Sequence, residues 1–205
     1  LRHRATIREF GEGGPICDLL VRGDSLYAVL EDTAVVELSL ADADRPEVVH
    51  EVAAEDLGVL PRSIREVEGV LYVSGLGGVV LLDDPGSPRL ADRLDEADAE
   101  MAGPVVPTEH GPAAPTGRRV HRIDGGRYLG AATALEVVPA AGGETASPRL
   151  AFVLQGTSAA EVGLAGPDLR SVATRAVPGV VRRIRVADGR LWVIEDAAIS
   201  GYPIE

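Results

Sequence analysis

Short apolar runs joined by glycine turns recur along the chain and predict β-hairpins. Clear copies cover residues 21–29, 67–73 and 186–193, and a weaker copy covers 150–154. In the clear copies a Leu and then Tyr or Trp follow the turn, before an aliphatic residue. Two apolar runs separated by a tight turn containing glycine are typical of antiparallel strands.

The copies are spaced by multiples of about 40 residues. The step from Leu26 to Leu71 is 45 residues, that from Leu71 to Leu150 is 79, and that from Leu150 to Leu191 is 41. The long gap predicts a further copy near position 110. A second strand follows each copy in steps of 44, 40, 42 and 37 residues, centred on Val36, Val80, Val120, Val162 and Ile199. The sequence therefore contains five repeat units.

Four of the five units continue with a turn and another short strand, which the last unit lacks. The N-terminus offers an unassigned strand at Ala5–Phe10. We therefore predict an all-β, five-bladed β-propeller with four antiparallel strands per blade, closed by the N-terminal strand, which completes the C-terminal blade. Such closure would remove exposed sheet edges. An open β-solenoid and a two-sheet sandwich are the alternatives.

The 205 residues suffice for one domain with a sizeable core. We expect a single propeller domain with blades at about 13–54, 55–95, 96–131, 132–178 and 179–205, the last joined by 1–12. Aromatic residues make up only 3% of the chain, so the core must consist mainly of Val, Leu, Ile and Ala. Short helices are predicted only near 52–57 and 95–102.

The second unit resembles the LVIVD repeat of bacterial and archaeal propeller proteins. It places Gly69 in a turn, then Leu71-Tyr72-Val73, a glycine-rich turn, Val79-Val80-Leu81-Leu82 and Asp84-Pro85. The first unit matches with Arg45-Pro46 at the last step, and the fifth matches in its first hairpin. The resemblance implies a propeller and a secreted or surface-attached protein, and it offers no catalytic motif for transfer.

The charge of the chain excludes several classes of partner. Twenty basic residues, all Arg, stand against 32 acidic ones, and the net charge is −12. A chain this acidic repels phosphate backbones and anionic lipid surfaces, so we expect no nucleic-acid partner. No apolar run approaches the ~18–20 residues that cross a bilayer, so we expect no direct membrane insertion.

Candidate catalytic and metal-binding chemistry is sparse. The single Cys17 allows no internal disulfide, and the four His residues lack ligand spacing. Glu31-Asp32 and Glu195-Asp196 occupy equivalent repeat positions and are interpreted as solvated turns. We expect no catalytic, cofactor-binding or metal-binding residues and no cofactor. A small-molecule ligand stays an open question.

Two sets of residues remain candidates for function. The first could line the central mouth of the propeller: Asp18, Arg62, Ser63 and Arg182. The second belongs to the proline-rich segment 95–117, which either is a degenerate blade or extends as an arm that docks on another protein. The possible arm residues are Glu100, Met101, Val105, Val106, Glu109 and His110.

These observations favour a non-catalytic binding or scaffold propeller that mediates protein–protein interaction. It could be a subunit of an extracytoplasmic or cell-surface assembly, and we expect a secreted, periplasmic or surface location. A propeller offers wide faces, and partner selection needs only shape and a few anchors. The alternative is a hydrolase or metal-assisted enzyme with its site at the central mouth.

Overall fold

A computed structural model describes residues 14–82, 89–93, 102–117, 119–123, 128–130, 132–138 and 149–204. Within these residues the chain forms nineteen strands and one short helix. The strands form five antiparallel sheets, four of four strands and one of three. This confirms the predicted all-β class and the five units. We call the sheets blades 1 to 5 in chain order.

Blades 1 and 2 lie in the first of two compact units, Leu1–Ala102. In each blade the strands pair in chain order. Blade 1 consists of β1 (Ile16–Arg22), β2 (Ser25–Leu30), β3 (Ala34–Ser39) and β4 (Glu47–Ala53). The helix α1 (Ala54–Leu57) follows, ending at Gly58 in a left-handed conformation. Blade 2 consists of β5 (Leu60–Val67), β6 (Val70–Leu76), β7 (Gly78–Leu81) and β8 (Arg89–Arg93).

Blades 3 to 5 lie in the second unit, Gly103–Glu205. Blade 3 contains β9 (Val106–Thr108), β10 (Gly111–Thr116), β11 (Arg119–Arg122) and β12 (Tyr128–Gly130). Blade 4 contains β13 (Ala134–Val138), β14 (Arg149–Gln155), β15 (Ala159–Ala165) and β16 (Ser171–Pro178). Blade 5 contains β17 (Val181–Ala187), β18 (Arg190–Glu195) and β19 (Ile199–Pro203).

The predicted hairpins occupy the first two strands of blades 1, 2 and 5. At the β1–β2 turn, Gly23 has φ 58°, and at the β5–β6 turn Gly69 has φ 80°. Glycine adopts this left-handed region without the steric cost that other residues incur, which explains its recurrence. The copy predicted near position 110 is β10, although it lacks the Leu-aromatic signature.

Blade 3 accommodates prolines inside its sheet. Pro112 and Pro115 lie in β10, which pairs with β9 on one side and β11 on the other. Each proline removes a donor from a ladder, so prolines are rare in central strands. The partner strand β9 has only three residues. Blade 3 therefore has fewer ladder hydrogen bonds than its neighbours can form.

Each unit has a core shared between adjacent blades. In the first unit, aliphatic side chains of blades 1 and 2 form one cluster around Ile64 and Val73, each fully buried. In the second unit, blades 3 and 4 share a cluster around Leu135 and Leu150, and blades 4 and 5 share another around Val193. Burial of aliphatic surface at about 25 cal/mol per Å² stabilises this packing of sheet on sheet.

Two predictions concern segments outside the described residues. The strand expected at Ala5–Phe10 is one of them, and within the described residues blade 5 has three strands. Most of the helix expected at 95–102 is the other. The helix expected at 52–57 is present in part: α1 covers Ala54–Leu57, and residues 52–53 end β4.

Candidate functional site

The first strands of blades 1, 2 and 5 share a β-bulge near their beginnings. The antiparallel register slips by one residue in β1, in β5 and in β17. The extra residue is Cys17 in β1, Arg62 in β5 and Arg182 in β17. A bulged residue leaves the ladder and its side chain is re-aimed, which is why bulges recur at functional positions. Two of the four predicted mouth residues are therefore structurally equivalent.

Arg62 links blade 2 to the acidic turn of blade 1. Its Nε and Nη2 donate to Oδ1 and Oδ2 of Asp32 at 2.6 and 2.5 Å, and Nη1 contacts Glu31 Oε1. The Asp32 backbone, held at φ 57°, donates its N–H to the Pro61 carbonyl at 3.1 Å. A two-pronged Arg–carboxylate contact fixes geometry as well as charge. The turn that we predicted to be solvated is partly exposed, with 35% of the Glu31 and 39% of the Asp32 side chain accessible, and it is also held against the next blade.

Asp18 is buried, with 8% of its surface exposed, and it accepts several hydrogen bonds from blade 2. Its Oδ2 accepts from Ser63 Oγ at 2.8 Å, from the Ile64 N–H at 3.1 Å and from Arg65 Nη1 at 2.5 Å. Burial by itself would raise the pKa of this carboxyl, but the Arg65 charge and the hydrogen bonds from Ser63 and Ile64 lower it. Asp18 is therefore an ionised structural anchor.

Cys17 lies beside these groups, half-buried against the core shared by blades 1 and 2. Its Sγ lies 3.3 Å from the Arg62 carbonyl oxygen and 3.5 Å from the Val29 carbonyl oxygen. The thiol can donate weakly to either carbonyl. It packs as a small, half-buried side chain beside the core.

Arg182 belongs to the second unit and pairs within its own blade. Its Nε donates to Asp196 Oδ1 at 2.5 Å, and both side chains are about 60% exposed. The hydrogen bond from Arg182 lowers the pKa of Asp196. The structure thus brings Asp18, Ser63 and Arg62 together in the first unit, and it places Arg182 in a separate ion pair.

Gln155 was not identified from the sequence, although it connects two blades. It ends β14, and its Nε2 donates to the Gly179 carbonyl at 3.1 Å and to the Gly156 carbonyl at 3.0 Å. Its Oε1 accepts the Val181 N–H at 2.9 Å, at the start of blade 5. A solitary Gln carries no repeat signal, so no pattern in the sequence could have indicated this role.

A second polar cluster missed from the sequence spans blade 1. Glu37 of β3 accepts hydrogen bonds from Ser25 at 2.7 Å and Tyr27 at 3.1 Å, and His50 Nδ1 lies 3.2 Å away. Burial raises the pKa of Glu37, but the bonds from Ser25, His50 and Tyr27 lower it overall. Burial and the neighbouring Glu37 raise the pKa of Tyr27. Side chains alternate between the two faces of a sheet, so the positions of these residues in their strands were a signal in the sequence that they share one face.

The predicted docking arm is only partly compatible with the structure. Val105 and Val106 are 1% and 2% exposed, and Val106 packs in the core of blades 3 and 4. These two residues are core positions, because the hairpin β9–β10 forms despite its prolines. Glu109 and His110 lie at the exposed turn of that hairpin, where Glu109 Oε1 is 3.4 Å from His110 Nε2. Glu100 and Met101 lie outside the described residues.

Two open grooves border blade 4. One, with a volume of about 250 Å³, lies between blades 4 and 5 and is lined by β15, β16, β18 and the end of β19. Arg175 stands over the Tyr202 ring there, 4.9 Å from its centroid. The other, about 170 Å³, lies between blades 3 and 4 around Phe152 and Glu161. None of the predicted site residues that the structure describes lines either groove.

Within the described ranges, no three His, Cys, Asp or Glu side chains are grouped so that they could hold a metal ion. The same part of the chain contains no helix long and apolar enough to span a membrane.

Comparison with known proteins identifies the fold. No protein-family model matches the chain. No curated protein matches it. The chain is similar to the solved structure of BamB from Moraxella catarrhalis, with a TM-score of 0.50 and 13% identity over 91% of this chain and 71% of that one. It is also similar to BBS1N in complex with ARL6DN, with a TM-score of 0.60 and 14% identity over 86% of this chain and 59% of that one. Both are β-propellers, and the five sheets described above are propeller blades.

Proposed function

We propose that this chain is a non-catalytic β-propeller that mediates protein–protein interaction as a binding or scaffold module. The observation that supports this proposal is that the side chains that could act as catalytic groups are hydrogen-bonded or ion-paired to one another. Asp18 accepts from Ser63 and Arg65, and Arg62 spans Glu31 and Asp32. A general base must be able to take up a proton, and a carboxylate with lowered pKa bound to a guanidinium is poorly suited to that.

The similar structure of BBS1N was determined in complex with ARL6DN, which shows that a related propeller architecture binds another protein. The chain spans 59% of the length of that protein. A propeller scaffold hosts many functions, so the likeness supports binding as a class and carries no partner across to this chain.

The test of the proposal is a comparison of binding with catalysis. The full chain is coupled through an affinity tag, partners are co-purified from the native source, and each is then produced pure and titrated by calorimetry. We expect a purified protein that binds the wild-type chain directly. Titration with the pure protein excludes proteins that co-purify only because they bind another molecule attached to the chain.

The same preparation is assayed against ester, glycoside, phosphoester and peptide substrates, with Asp18→Asn as the matched variant. Turnover that disappears in an Asp18→Asn preparation shown by circular dichroism to be folded, combined with the absence of any protein partner, would overturn the proposal in favour of an enzyme. Turnover equal in both proteins that elutes apart from the chain in gel filtration would indicate a contaminant, whereas equal turnover that co-elutes with the chain would place catalysis away from Asp18 and would also overturn the proposal.

The proposal also covers the repeat family, the cellular location and the domain organisation of the chain. The repeat in blade 2 resembles the LVIVD repeat, which supports an extracytoplasmic or cell-surface assembly as the setting. We also propose that the five blades belong to one domain, in which residues 1–12 add the missing strand to blade 5. The support for this is that blade 5 has three strands within the described residues, and that Ala5 and Ile7 alternate with Thr6 and Arg8.

A further inference from the structure

One end of the first unit exposes three aliphatic side chains. Ile16 begins β1, and Leu60 and Leu76 face each other as register partners across β5 and β6. They are 46%, 39% and 38% exposed. Large aliphatic side chains exposed singly are common, but neighbouring ones on one surface are typical of interaction sites.

The turns at this end lie close together. The Glu31 N–H donates to the Pro15 carbonyl at 2.9 Å, and the Asp32 N–H donates to the Pro61 carbonyl at 3.1 Å. Gly77, which follows Leu76, lies against the backbone of Val59. A Cβ built on Gly77 would be 3.8 Å from the Val59 Cα. The beginnings of β1 and β5 and the end of β6 therefore contribute to one surface.

Four carboxylates lie on the turns of the same end. Glu31 and Asp32 form the β2–β3 turn, and Glu55 and Asp56 are exposed in α1. The Ala54 N–H donates to the Thr33 carbonyl at 2.7 Å, which ties the helix to that turn. Arg62 places a guanidinium among these groups, and Glu31 and Asp32 already share it. The surface is negative around its aliphatic side chains.

We propose that this acidic end surface, formed by the three aliphatic side chains and the four carboxylates, docks a basic, amphipathic segment of a partner protein. Aliphatic or aromatic side chains of the segment would cover Leu60 and Leu76, and flanking Arg or Lys would face the carboxylates. The proposal rests on the proposed function and specifies the kind of partner. Charge complementarity of this type accelerates association and selects partners.

The charge also argues against other occupants. A second copy of the chain would bring a second molecule with a net charge of −12 and would meet the same carboxylates. Nucleic acid and anionic membranes would be repelled for the same reason. A positively charged protein segment is the occupant whose electrostatics and apolar side chains both match.

The experiment selects ligands from random sequences, so the partner need not be identified first. A random library of displayed 12-residue peptides is panned against the immobilised full chain, and enriched sequences are synthesised and titrated by fluorescence polarisation. We expect enriched peptides to place Arg or Lys beside Leu, Ile or Phe. We expect their affinity to fall about tenfold or more between low and high salt, because surface charge attraction is screened.

Variants then locate the site. Leu60→Ser with Leu76→Ser should weaken binding about tenfold or more, as expected for anchor positions. Glu55→Gln with Asp56→Asn should weaken it mainly at low salt. Val48→Ser with Val49→Ser is the matched control, because these residues of β4 are 48% and 49% exposed in the same unit and lie outside the proposed surface. Circular dichroism and urea midpoints verify that every variant is folded.

The possible failures are distinguishable. Peptides that bind the Leu60/Leu76 variant as well as the wild type, but lose affinity in the Val48/Val49 variant, would overturn this surface while protein binding stands. Enriched peptides that lack positive charge would also overturn it. If no peptide is enriched and no protein partner is found by co-purification, the proposed function fails as well.

Discussion

Ser63 Oγ donates to Asp18 Oδ2 at 2.8 Å, joining the first strand of blade 2 to that of blade 1 through a buried carboxylate. The same oxygen accepts the Ile64 N–H and contacts the Arg65 guanidinium. The two blades are therefore held by a directional polar contact in addition to aliphatic packing. This contact makes the junction sensitive to single substitutions.

Replacing Asp18 should destabilise the junction strongly. We expect Asp18→Asn to lower the free energy of unfolding by about 2–4 kcal/mol, because it leaves a mostly buried Arg65 without its counter-charge. Urea denaturation measures the change. Asp24→Asn in the exposed β1–β2 turn is the control and should have little effect. Equal effects of the two substitutions would contradict the anchoring role of Asp18.

Stability should fall in acid partly through Asp18. Its folded-state pKa lies below the ordinary value of 3.8, so the unfolded chain takes up a proton first as the pH decreases. The stabilisation is fully present above that ordinary pKa and is lost as the pH falls through the folded-state pKa. We expect the urea midpoint to decrease between about pH 5 and pH 2.5, and to decrease less in Asp18→Asn. A parallel decrease in both proteins would contradict this assignment.

The two bulge arginines should respond differently to truncation. Arg62→Ala should cost about 0.5–1.5 kcal/mol, since it removes a two-pronged contact to Asp32 between blades. Arg182→Ala should leave the unfolding midpoint unchanged, because its pair with Asp196 is largely exposed. Denaturation of both variants under identical conditions tests the contrast. A larger effect at Arg182 would refute the interpretation.

Gln155 should protect a backbone amide of blade 5. In Gln155→Ala the Val181 N–H loses its acceptor, so we expect its hydrogen exchange to accelerate and the free energy of unfolding to decrease by about 1–2 kcal/mol. Hydrogen exchange followed by NMR resolves the single amide. The Ile184 N–H, deeper in the same strand, is the internal reference. Unchanged exchange at Val181 would show that the side chain is not needed there.

The N-terminal strand of the domain proposal is testable by point substitution. We expect Ile7→Ser to lower Tm by about 4–8 °C, corresponding to roughly 2 kcal/mol for a domain of this size. Arg8→Ser, on the opposite face of the proposed strand, should change Tm little. Differential scanning calorimetry compares them. If Ile7→Ser has no effect, residues 1–12 do not complete blade 5.

The repeat pattern was sufficient to predict the five sheets, because Gly turns and apolar strands at positions such as Gly69 and Leu71 follow from local backbone chemistry. It was also sufficient to predict a third unit near position 110, although that unit lacks the Leu-aromatic signature, since the spacing alone required it. The contacts that join blades were harder to predict. Asp18 and Ser63 are 45 residues apart, and nothing in their neighbouring sequence indicates that they meet.

The buried state of Val105 and Val106 shows the limit of composition as a guide. Four prolines in the segment 104–115 suggested an irregular arm, but a three-residue strand forms beside β10, and both Val106 at its start and the preceding Val105 are buried. Long-range packing overrides local propensity at such positions. The bulges at Arg62 and Arg182 were also not foreseen, because a one-residue slip in register leaves no mark on hydrophobic alternation.

Cys17 occupies the bulge of blade 1 with its sulfur against the backbone of Arg62. As the sole thiol of the chain, it is a natural chemical reporter: a thiol-reactive dye would label this position and no other. Because this thiol is half-buried between β1 and β5, its labelling rate would report how accessible that seam is in the unmodified protein.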